Sequence, residues 1–250
     1  MKINIIQTSP KLSKKNLDIV LNKAKNATAN LVLFPELALN GYKPKDALLE
    51  DAFCMDELQE FKTLSNKKDI CIGVALKEGH KIYNASIYFS QGQATIYKKQ
   101  HLPNYGVFEE ARFFFGGNES FCFDTQFGKT AMFICEDMFS GEIINFIANE
   151  KPDLVLVLAN SPAREFRENN LLIQDNWYSI LKTSSILSGA YTLFANRVGF
   201  EDGLGFWGGS VIINPKGEIE KQATLFEEET ISTTLNKKLS TTQKYYLRKE

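Results

Sequence analysis

Four short apolar runs, each closed abruptly by polar residues, constrain this chain more than any other feature. They read INIIQ from residue 3, LVLF from 31, AMFI from 131 and LVLVL from 154. A run that is largely apolar, and too short for an ordinary helix, describes a strand covered on both faces. Between such runs, apolar residues return at helical spacing, as Leu17, Val20, Leu21 and Ala24 do behind Ser13, a candidate helix cap. The same recurrence follows Cys135, where residues 141–149 carry Ile143, Ile144 and Ile147 on one side, and again over residues 169–187, a helix in which Trp177 is a core residue. Strand, polar turn, helix, strand predicts an α/β protein with parallel central strands and helices outside.

The intervening segments read as β structure. Residues 70–76 and 81–89 flank the turn Lys77-Glu78-Gly79-His80, and a third strand covers 94–98. A strand over 191–195, a hairpin of 210–214 with 219–223 about Pro215-Lys216-Gly217-Glu218, and a strand near 229–235 complete the set. Residues 236–250 read as a polar tail, and no linker, repeat or low-complexity stretch divides residues 1–250, so one domain is expected. The glycine-rich segment 203–209 lacks both the G-x-G-x-x-G order and a following helix, which argues against a nucleotide loop.

Composition removes several function classes. At 44% hydrophobic and 24% charged over 250 residues this is a globular chain, and a formal net charge of -1 supplies no field for nucleic acid or an anionic membrane. No stretch reaches the ~20 apolar residues of a membrane span, and MKINIIQTSP is too short in apolar length for a signal peptide, so a cytoplasmic location is expected. The four cysteines form no C-x-x-C pair and neither His80 nor His101 lies at metal-ligand spacing; no disulfide frame, metal or cofactor is expected. A cysteine nucleophile activated by histidine would have to use one of those two residues, and His80 sits in a hairpin turn.

Reactive groups nevertheless stand where strands end. Cys135 follows Ile134 and is followed at once by Glu136 and Asp137; Glu36 follows Phe34 and Pro35; Lys99 closes a strand and opens the long, aromatic-rich loop 99–120. Each has an ordinary reading as core filler, solvated carboxylate or strand-end lysine. If the three converge, Glu36 takes the thiol proton of Cys135, Cys135 attacks an electrophilic carbon to form a thioester, and Lys99 with the Glu136 backbone N–H stabilises the oxyanion.

The segments FPE at 34–36, YKKQHLP at 97–103, EEARFF at 109–114 and CED at 135–137, with NRVG at 196–199 and GGSVIINPKGE at 208–218, closely resemble the nitrilase superfamily of carbon-nitrogen hydrolases. The resemblance spans almost the whole chain. It implies a four-layer αββα sandwich, a Glu-Lys-Cys triad at Glu36, Lys99 and Cys135, Glu110 as an accessory glutamate, and a homo-oligomer. Gly116 departs from the proline common at that place, a change of loop shape. PELALNGYKPKDALLEDAF at 35–53, LPNYGVFEEARFF at 102–114 and ICEDMF at 134–139 look most like the glutaminase domain of glutamine-dependent NAD synthetases. By that likeness Tyr105, Glu136, Ser161 and Arg167 hold the substrate, Glu136 facing an α-ammonium and Arg167 an α-carboxylate.

The expected activity is that of an amidase cleaving a small linear amide, glutamine or a compound like it, to acid and ammonia. An N-carbamoyl amidase is the rival within the family; nitrile hydrolysis is disfavoured because Cys135 is followed by Glu and Asp rather than the C-W-E of many nitrilases. No S-G-G-x-D nucleotide motif occurs, and the alternative of another class is an ammonia-supplying or regulatory subunit active only with a separate partner enzyme.

Overall fold

The computed structural model describes residues 1–42, 45–168 and 170–247. Two six-stranded sheets form its centre. The first runs in the order β14 (Glu229–Thr234), β1 (Lys2–Gln7), β2 (Leu31–Leu33), β3 (Asp69–Glu78), β4 (Lys81–Ser90), β5 (Gln93–Lys98). The second runs β13 (Ile219–Gln222), β12 (Val211–Ile213), β9 (Tyr191–Asn196), β8 (Leu154–Ala159), β7 (Gly128–Ile134), β6 (Cys122–Thr125). In each sheet the three central strands are parallel, β1-β2-β3 and β7-β8-β9, and the flanking strands antiparallel. These central strands are the apolar runs of the sequence, and every residue of β2, β8 and β9 is buried.

The inner faces of the sheets meet in one core, where Ile3, Ile5, Leu33, Tyr88 and Tyr97 of the first pack with Met132, Phe133 and Leu156 of the second. The outer face of the first sheet is covered by the helix Asn16–Asn26, through Val20, Leu21 and Ala24, and by Phe61 of the short helix Gln59–Leu64. On the outer face of the second lie the helices Gly141–Glu150 and Leu172–Ser188, through Ile143, Ile147, Trp177 and Leu181. The layering is αββα, because each sheet exhausts one face on the other and must cover the second with an amphipathic stripe.

Several details depart from the expectations. Ser13 does not cap the first helix: Lys15 holds the N-cap position, and the Ser13 hydroxyl accepts from the Lys15 N–H instead. The helix expected from residue 169 starts at Leu172, and Asn169 itself lies outside the described residues. The glycine-rich segment is part of a hairpin, β10 (Val198–Glu201) with β11 (Leu204–Trp207). The polar tail contains a helix, Lys237–Tyr246, capped by the Asn236 side chain and anchored by Ser240 Oγ donating to the Gly189 carbonyl and by Lys244 on Asp153; residues 248–250 of that expected tail lie outside the described residues. Among the described residues no helix is long and apolar enough to cross a membrane.

Candidate active site

Four strand ends of the two sheets supply the site. β2 delivers Glu36 through Pro35, and the segment then crosses β3 so closely that Gly73 is required: a Cβ there would stand 2.5 Å from Glu36 Cα. β5 ends at Lys98 and presents Lys99, whose carbonyl accepts from Gly117 N–H. β7 ends at Ile134 and the chain turns through Cys135 at φ 46° into a 3-10 turn. A non-glycine residue there carries strain of about 1–3 kcal/mol, maintained by its surroundings. β8, parallel to β7 with Leu158 beside Ile134, ends beside this turn and releases Asn160 and Ser161.

Glu36, Lys99 and Glu110 come together in the interior, the first two with no exposed surface. Lys99 Nζ donates to Glu36 Oε1 at 2.8 Å and to Glu110 at 2.8 Å and 2.7 Å. Burial opposes the charge on Lys99, but the Glu110 and Glu36 carboxylates outweigh it and hold the ammonium well above the usual lysine range. Burial, and then Glu36, push the Glu110 carboxyl up to about 7 against the pull of Lys99. Tyr42 donates its hydroxyl to Glu110 Oε1 at 2.8 Å, and a cleft lined by Tyr42, Leu48, Glu109, Phe113 and Phe114 leads to this carboxylate. Glu36 Oε1 also accepts from Asn84 Nδ2 at 2.7 Å, and Glu36 Oε2 from the Asn160 backbone N–H at 2.7 Å.

Cys135 lies within electrostatic reach of Glu36, Lys99, Glu110 and Glu136 and keeps part of its surface open. Protein packed around the thiol, and then Glu36, raise it well above the ordinary cysteine range, with Lys99 pulling the other way. That direction favours the neutral thiol, whose attack needs a base. No imidazole serves: His101 Nδ1 sits 3.0 Å from Asp137 Oδ1, and His80 packs edge-on against Phe115. Asp137 is instead the clamp of the turn, for its buried carboxylate accepts the N–H of Ile134, Gln100 and His101 and the Tyr97 hydroxyl.

The expected substrate groups are placed unequally. Tyr105, exposed at the rim, donates to Glu136 Oε1 at 2.8 Å. Ser161 is buried, and its hydroxyl accepts both indole N–H groups, from Trp177 at 3.0 Å and Trp207 at 3.1 Å, so only its proton remains to offer. Arg167 is exposed and stands 3.6 Å from Asp175. Arg164 stands by Tyr105. Its guanidinium lies 5.3 Å over the Phe108 ring, its charge acts on the Tyr105 hydroxyl, and its buried Nε has no protein partner among the described residues. Sequence reasoning passed over Tyr42, Asn84, Asn160 and Arg164; the one signal was Asn84, a lone carboxamide inside the apolar strand β4. Among the described residues no group of three or more His, Cys, Asp or Glu is arranged to hold a metal ion.

Comparison with known proteins places the chain in a family. The glutamine-dependent NAD(+) synthetase of Acinetobacter baylyi is 33% identical over 213 residues, covering 83% of this chain and 38% of that protein. A "Probable nitrilase" of Schizosaccharomyces pombe is 31% identical over 255 residues, covering 94% of this chain and 89% of that one. The solved carbon-nitrogen hydrolase of Helicobacter pylori G27 superposes with a TM-score of 0.86 at 21% identity over 100% of this chain and 94% of that chain, a likeness of fold. The chain thus spans about two fifths of the synthetases it matches, 38% and 37% of the first two. The carbon-nitrogen hydrolase family signature matches residues 3–245, and by that match and those identities the chain belongs to the carbon-nitrogen hydrolases of the nitrilase superfamily, enzymes that break carbon–nitrogen bonds.

Proposed function

We propose that the protein is a cysteine amidase that hydrolyses a small linear amide with an amino-acid end, glutamine or a close relative, to the acid and ammonia. The observation that carries this reading is the buried Lys99 ammonium held between Glu36 and Glu110, with Cys135 at a positive-φ turn within electrostatic reach of all three. Glu36 Oε2 accepts one bond from Asn160, which leaves it able to take the Cys135 proton as the sulfur attacks the amide carbon. Negative charge then develops on the carbonyl oxygen, toward Lys99 and the Glu136 N–H; Glu36 passes its proton to the departing nitrogen and ammonia leaves a thioester. Water hydrolyses the thioester with Glu36 as base.

At the far end, Glu136 suits an ammonium and Arg164 a carboxylate, a pairing that supports an α-amino acid amide over a bare aliphatic one. The likeness to glutamine-dependent NAD(+) synthetases supports the same substrate, and supports an ammonia-using enzyme as recipient. Ammonia release from glutamine and related amides is expected in the wild type and absent in Cys135→Ala, with an acyl adduct on Cys135 detected by mass spectrometry. Undiminished release from Cys135→Ala sinks the assignment, and carbon dioxide appearing with ammonia redirects it to a carbamoyl substrate.

A further inference from the structure

Within the family Glu36 must act twice, and the second act requires a water beside it. We propose that the Asn160 carboxamide, with Asn84 Oδ1 opposite, positions the water that hydrolyses the thioester; the inference rests on the amidase reading above. Asn160 has no exposed surface, and its backbone N–H donates to Glu36 Oε2, which sets the residue directly beside that oxygen. Both polar atoms of its side chain, Oδ1 and Nδ2, lack a protein hydrogen-bond partner. On the other side of the same carboxylate, Asn84 Nδ2 donates to Glu36 Oε1 while Asn84 Oδ1, equally buried, is also unpartnered. Three of the five buried side-chain polar atoms without a partner among the described residues thus belong to the two asparagines bonded to one carboxylate.

Such atoms are costly to bury, and where they cluster at a reactive group they answer to something that is there during the reaction. A water that accepts from Asn160 Nδ2 and donates one hydrogen to a carboxamide Oδ1 keeps its second hydrogen for Glu36. Lys99 and Asn84 already occupy Glu36 Oε1, so the oxygen open to that water is Oε2, the one bonded to Asn160. In the step itself the water oxygen bonds to the thioester carbon and gives a proton to Glu36. The carbon–sulfur bond then breaks, its electron pair stays on the Cys135 sulfur, and the sulfur takes the proton back from Glu36, leaving free acid and thiol. Neither amide is consumed.

Asn160→Ala separates the two half-reactions. Rapid-quench ammonia release in the first turnover is expected at the wild-type rate, while steady-state turnover falls roughly 10- to 100-fold, the scale of a misplaced reactant. Acyl-enzyme on Cys135 then accumulates in the mass spectrum. The melting temperature should not drop, because no protein hydrogen bond is lost. Asn160→Ser, which keeps a donor and an acceptor, should fall between alanine and wild type and serves should the alanine variant fail to fold. Unchanged steady-state turnover overturns the proposal, as does a first turnover slowed in step with it, or a rise in KM alone. A wild type that releases no ammonia and forms no adduct fails the amidase reading instead.

Discussion

Lys99 shows how much one residue's chemistry depends on its neighbours. An ammonium without exposed surface persists because two carboxylates sit within 2.8 Å of it, and removing either leaves a buried charge underpaired. Glu110, with its carboxyl near 7, sets the acid side: as pH falls through about 7 it gains a proton and one of the two anions holding Lys99 is lost. The acid limb of kcat/KM is therefore expected near pH 7, and Glu110→Gln should flatten it while lowering turnover at pH 8 roughly 100-fold. At the rim, Arg164→Ala should raise KM for a carboxylate-bearing amide by about 10- to 100-fold, the value of one charge-assisted bond, and leave KM for a neutral amide unchanged. Arg167→Ala, on an exposed pair with Asp175, should change KM for neither amide. Parallel Michaelis–Menten series on the two amides decide between the arginines.

Among elements, the turn after β7 and the crossing over β3 hold the reactive groups in place. Asp137 accepts three backbone N–H groups and the Tyr97 hydroxyl, and so ties the start of the 99–120 loop to the Cys135 turn. Asp137→Ala leaves those donors unmatched in the interior and should cost roughly 3–5 kcal/mol in urea unfolding, with loss of activity before the unfolding midpoint. At the crossing, Gly73→Ala drives a methyl into the Glu36 backbone and should depress turnover more than stability. Gly141→Ala, in a helix with no atom within 4 Å of the added carbon, is the control and should be neutral or slightly stabilising. The helix Lys237–Tyr246 carries a related lesson. Its polar composition reads as a tail, and it holds through a cap at Asn236 and contacts of Lys237, Ser240, Lys244 and the Leu247 carbonyl with distant parts of the fold, which have no local pattern.

For the whole molecule, two sheets pressed together decide everything at the site. Phe133 lies between Tyr97 of the opposite sheet, at 5.6 Å, and Phe146 of the outer helix, at 6.1 Å, so it joins three of the four layers. Phe133→Ala should cost about 3–5 kcal/mol in a denaturant titration, with repacking unable to close so central a gap. Periodicity and chain order, which are local, determined the strands 2–7, 31–33, 128–134 and 154–159, the helices between them, and which residue types stand at their ends. The edge strand Cys122–Thr125 escaped because four residues pairing with one neighbour leave too short a pattern. Which end faces which was left to the packing: that Glu36 and Lys99 share a bond across 63 positions, that Asn160 reaches Glu36 across 124, and that Arg164 rather than Arg167 stands by Tyr105. Residue spacing carries turn and strand geometry over a few positions, whereas contacts between sheets arise only when their apolar faces meet. The sequence by itself therefore determined the chemical parts, and the burial of one sheet on the other decided their distances, their charge states and the two carboxamides that stand around the acid.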